Sequence, residues 1–83
     1  MDDWSVIRRG RTVRVDAHPN ALRDGEEDAI VLAVEAEAAD DDFESVRVTG
    51  AVLDEPSRGT SSLIRRIGDV ANRHGKRLDV GPI

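Results

Sequence analysis

The stretch from Val46 to Val80 constrains the fold most, because its apolar period changes from two to about 3.6 and back to two. In Val46-Arg47-Val48-Thr49-Gly50-Ala51-Val52-Leu53 apolar residues recur at alternate positions, the pattern of a half-buried strand. Asp54-Glu55-Pro56-Ser57-Arg58-Gly59 is turn chemistry, in which Pro and Gly end the strand and reverse the chain. Thr60, Ser61 or Ser62 then offers a hydroxyl to cap a helix start. Leu63, Ile67, Val70, Ala71 and His74 follow at helical spacing, widened by Ile64, while Arg65, Arg66, Asp69, Asn72 and Arg73 face outward. Gly75 suits the left-handed residue that closes a helix, and Gly68 inside the helix suits close packing on a sheet. Arg77-Leu78-Asp79-Val80 alternates again before Gly81-Pro82. A strand–helix–strand unit of this length joins two parallel strands by a right-handed crossover.

The rest of the chain builds outward from that unit. Ser5–Arg8 and Arg11–Val15 flank Arg9-Gly10 and read as a hairpin, with Gly10 supplying the positive φ of a two-residue turn. Trp4 caps one end of the core. Residues 17–28 form a polar loop around His18-Pro19-Asn20. Ala29–Ala39 alternates in apolar character and reads as a strand; its Ala and Glu content, with Ile30, Val34 and Ala38 on one helical face, is the opposing helical reading. Asp40-Asp41-Asp42 is a solvated acidic turn, and Phe43 anchors the next strand. The expectation is one α+β domain spanning residues 1–83, in the order β-β-β-β-α-β. Its sheet is mostly antiparallel, with one main helix and a parallel final pair.

Composition narrows the function. With 83 residues, one Trp, one Phe and no Tyr, the core rests on Val, Ile, Leu and Ala, and a homodimer would bury more apolar surface. A net charge of −5 argues against broad, salt-driven nucleic-acid binding. The absence of cysteine fits a reducing cytoplasm, and no membrane segment or signal-like run is present. No Ser–His–Asp, Cys–His or metal-ligand constellation can be assembled from His18, His74, Glu44 and the Asp run. Arg58, Gly59, Thr60, Ser61 and Ser62 form the best candidate site, offering backbone donors, hydroxyls and a guanidinium to a phosphate or carboxylate. The same residues also read as an ordinary helix cap, with Asp54 and Glu55 opposing an anion. Arg65, Arg66 and Arg73 form a candidate partner-binding face.

Val52 to Gly59, followed by Ile64, Ala71 and Gly75 at family-like spacing, resembles the acetyl-CoA-binding segment of GNAT-type N-acetyltransferases. That resemblance implies a pyrophosphate held by first-turn amides over Arg58–Ser62, hence acetyl-CoA as cofactor. The chain departs from the family where its two loop glycines fall, at Arg58 and Thr60 or at Gly59 and Ser61, and it has no Tyr for a general acid. The family's flanking helices and strands have no counterpart here.

A second resemblance, to STAS domains of anti-sigma-factor antagonists, rests on an Asp-containing turn, a helix and Gly75-Lys76-Arg77-Leu78-Asp79-Val80-Gly81-Pro82. It implies that Ala21–Ala39 forms the first helix and that a serine near Ser57 or Ser61 is the phosphorylatable one, although Asp54 and Gly59 stand too far apart for the compact family signature. The sequence thus favours a small binding or regulatory protein on a GNAT-like core. It would act through a protein partner, in the style of a phage or mobile-element protein directed at a host target. A minimal acetyl-CoA-dependent N-acetyltransferase and a STAS-like, phosphorylation-regulated interaction domain are the alternatives.

Overall fold

The computed structural model describes residues 3–40, 42–55 and 57–81. Asp41, Pro56 and Pro82, read above as turn residues, lie outside them. The chain runs β1 (Trp4–Arg9), β2 (Thr12–Ala17), α1 (Pro19–Arg23), α2 (Glu27–Ala38), β3 (Ser45–Thr49), a short 3-10 turn (Ala51–Leu53), α3 (Arg58–Arg73) and β4 (Arg77–Val80). The mixed α+β class is as expected, but the internal order differs at one decisive element.

Residues 27–38 are helix, not strand. Ile30, Val31, Val34 and Ala38 are buried together, which requires a helical turn, because a strand would send Ile30 and Val31 to opposite faces. The apparent alternation arose because this segment is apolar on nearly every side, so a period of two is as easy to find as one of 3.6. Glu27 and Asp28 in the first turn favour the helix electrostatically. A helix between β2 and β3 turns their connection into a crossover, and the sheet changes accordingly. Only β1 and β2 are antiparallel; β2–β3 and β3–β4 are parallel, in the spatial order β1-β2-β3-β4. The predicted mostly antiparallel sheet with one helix is therefore corrected to a mostly parallel one with two long helices. The parallel final pair stands.

Other boundaries move by local chemistry. The hairpin register pairs Arg9 with Thr12, so its two-residue loop is Gly10–Arg11, with Gly10 at φ 59°. The supposed polar loop contains α1, with Pro19 at its start and His18 Nδ1 accepting from the Asn20 N–H at 3.1 Å. The central strand ends at Thr49 rather than Leu53. Gly50 takes φ 110°, and a Cβ there would lie 2.6 Å from the Ala17 carbonyl oxygen, so only glycine admits this approach of β3 to β2.

Val13, Val15 and Ala17 of β2 and Val46 and Val48 of β3 point to one side of the sheet. Ile30 and Val34 of α2 and Leu63, Ile67 and Val70 of α3 cover them, and Phe43 seals the α2–β3 connection. Each fully buried aliphatic side chain contributes about 1.5–3 kcal/mol. α3 ends as predicted at Gly75 (φ 68°), in a Schellman turn: Gly75 N–H donates to Asn72 at 3.0 Å and Lys76 N–H to Ala71 at 2.8 Å. Gly68 lets α3 settle on β4, since a Cβ there would stand 3.1 Å from the Leu78 side chain. Trp4 packs on the core margin. Among the described residues no helix is long and apolar enough to cross a membrane.

Candidate functional site at the carboxyl ends of the strands

In parallel sheets the loops beyond the strands' carboxyl ends are where ligands usually gather. Here that end collects the β2–α1 junction, the β3–α3 loop and the head of α3. It holds two hollows. One, of about 470 Å³, is lined by Asp3, Trp4, Ser5, Asp16 and His18 among others. The second, of about 250 Å³, lies between α1 and the head of α3 and is lined by Pro19, Leu22, Arg23, Glu55, Ser57 and Gly59.

Ser57, not Thr60, Ser61 or Ser62, caps α3, so the helix starts earlier than expected. Ser57 Oγ accepts from the Thr60 N–H at 3.3 Å, and Thr60 Oγ1 accepts from the Ser57 N–H at 3.1 Å. This is a capping box with Thr in the place usually held by Glu or Gln. Pro56 and Gly59 had suggested a longer turn, but Gly59 has an ordinary helical place against Leu22. Thr60 is buried, and its hydroxyl also donates to the Val52 carbonyl at 3.4 Å, tying α3 to the loop after β3.

The five residues of the expected phosphate turn thus form the first turn and a half of α3. Thr60 is used within the cap, and Ser62 Oγ donates to Glu27 Oε2 at 3.1 Å. Arg58 and Ser61 are exposed, and Gly59 is half-covered by Leu22. The box satisfies the Ser57 and Thr60 amides, leaving those of Arg58 and Gly59 at the helix head. Glu55 faces the same hollow.

The expected partner-binding arginines divide. Arg66 donates to Glu27 at 2.7 Å and to Asp28 at 2.6 Å, linking α3 to the start of α2. Its pKa is raised above the usual guanidinium value, first by the hydrogen bond to Glu27 and then by that to Asp28. Arg73 donates to Glu35 at 2.9 Å, about two helical turns further along the same seam. Arg65 is exposed and makes no ion pair among the described residues. Two of the three therefore hold the helices together, leaving Arg65 outward.

His18 spends one ring nitrogen on the α1 cap, and among the described residues no group of three or more potential ligands is placed to hold a metal ion. Two features escaped the sequence reading. Arg23 lies in the stretch that reads as polar loop, although Pro19 followed by Ala and Leu is a legible helix start. The hollow at Asp3, Asp16 and His18 joins residues from separate segments and had no local signal. A scan against family models gives no match, and searches of curated proteins and of solved structures give none either.

Proposed function

We propose that this chain is a small protein-interaction module, regulated by phosphorylation, with Ser57 as the modified residue. The observation that carries the reading is the position of Ser57: exposed, at the head of α3, on the rim of the hollow that also holds Arg23. A phosphate at a helix head is favoured by the macrodipole and by first-turn amides, here those of Arg58 and Gly59, which the capping box does not use. Arg23 offers a guanidinium on the same hollow, while Glu55 opposes the charge. The added charge would therefore change the electrostatic face of this end of the molecule, which is what a switchable contact needs.

Topology supports the module over the transferase. α2 fills the second part of the Ala21–Ala39 stretch for which the STAS-like resemblance asks one helix, and it stands where the GNAT-like one asks for a strand. The acetyl-CoA reading gains nothing from a first turn closed by its own capping box and flanked by Glu55.

Two variants test the proposal. Asn and Asp cap helices about as well as Ser, so Ser57→Asn and Ser57→Asp both keep α3 intact and differ in charge. Affinity capture from the cells that make the protein should retain a partner with one variant and lose it with the other. Mass spectrometry of the native protein should find phosphate on Ser57 in at least one growth state. Identical capture by both variants, with Ser57 unmodified throughout, rejects the reading.

A further inference from the structure

The helices cover one face of the sheet, yet parallel strands are usually covered on both. The bare face has a distinctive chemistry for a chain of net charge −5. It carries Arg9, Arg14, Arg47 and Arg77 against Asp16 and Asp79. Arg14 and Arg47 are register partners on adjacent strands, each with a carboxylate at 3.9 Å, Asp16 and Asp79 respectively. Like charges set opposite one another cost stability, a cost that an incoming carboxylate relieves. Ile7, 51% exposed, lies in the same row, beside a hollow of about 430 Å³ lined with Arg9, Arg14, Asp16 and Ser5.

The outward face of α2 has the opposite character. Ala29, Leu32, Ala36 and Ala39 form an exposed apolar strip, with Leu32 64% exposed, and Asp28 and Asp40 stand at its two ends. These carboxylates pair with Arg66 and Arg8 inside the molecule, yet their side chains remain 80% and 61% exposed, so outer lone pairs are available.

We infer that α2 of one copy of this chain docks on the bare sheet face of a second copy, seating Leu32 against Ile7 and presenting Asp28 and Asp40 to the sheet arginines. Neither face suits a copy of itself. An antiparallel pair of α2 helices would bring Asp28 of one copy towards Asp40 of the other, and two sheet faces would oppose their arginines. The dimensions are comparable: Asp28 to Asp40, just past the end of α2, spans about 18 Å, against about 14 Å across four strands, a gap that long arginine side chains bridge. The contact is head-to-back, so it does not close as a pair: copies add as concentration rises, into a ring if the rotation closes and an open array if it does not. A patch this small and polar gives weak, salt-sensitive association.

Sedimentation velocity on the whole protein tests this directly. Wild type at about 1 mM and low salt should sediment as a series of oligomers, and about 0.5 M salt should weaken the association roughly tenfold. Ile7→Glu spoils the sheet face and Leu32→Glu spoils the helix face; both positions are exposed, and circular dichroism checks the fold. Each variant alone should be monomeric, because both would-be partners lack the same face. Their equimolar mixture should give a dimer that grows no further, since each supplies the face the other lacks. Wild type that stays monomeric overturns the inference, as does association that survives either variant or a mixture that fails to dimerise.

Discussion

α2 and α3 lie side by side on one face of the sheet and share one core, yet they are built differently. α3 carries a capping box at its head, a Schellman turn at its end and a polar outer surface. α2 has no side-chain cap at its N-terminus, and apolar residues occupy its outside as well as its inside. The first is specified locally and needs the sheet only for its apolar stripe. The second owes its helical state to packing, to its Ala content and to the ion pairs that α3 extends to it. Two helices of equal structural weight can thus rest on unequal local information.

The comparison breaks most clearly in the core, where the two helices should be equivalent. Ile67→Ala in α3 and Ile30→Ala in α2 should each cost about 2–5 kcal/mol by urea unfolding, because both side chains are fully buried. A loss confined to α3 would mean that α2 is not docked as described. The helix heads should differ. Ser57→Ala should cost about 1 kcal/mol, whereas Glu26→Ala, at a head without a side-chain cap, should be neutral to within about 0.5 kcal/mol. Equal losses would remove the distinction. The smallest effect lies on the seam: Arg66→Met should lower the melting temperature slightly at low salt and progressively less as salt is added. Alongside these, calorimetric titration with acetyl-CoA should give no heat, and binding that needs the pyrophosphate would return the transferase reading to the front.

The same contrast explains what could be read from the chain. The β3–α3–β4 unit was legible because Arg65, Arg66, Asp69 and Asn72 interrupt the apolar stripe often enough to fix a period of 3.6. The segment 29–39 lacks such interruptions until Glu35, so its period was ambiguous, and reading it as a strand cost the whole sheet topology. Gly50 sits inside the stretch read as one continuous strand, because the backbone it approaches belongs to Ala17, some thirty residues away. At the candidate site, the hydroxyls and arginines of 57–66 were visible as types. Their division between cap, seam and surface was not, because Glu27, Asp28 and Glu35 decide it from another helix.

The spatial order of the strands repeats their order in the chain, and this bears on how the molecule assembles as it is synthesised. The β1–β2 pairing needs no strand downstream of it, although its apolar face waits for the helices. β3 then finds β2 already in place, and β4 finds β3, so no strand must be held open for a later one to insert between its neighbours. Growth from the amino end meets a finished edge at each step, which shortens the time that an unpaired edge is exposed to other chains.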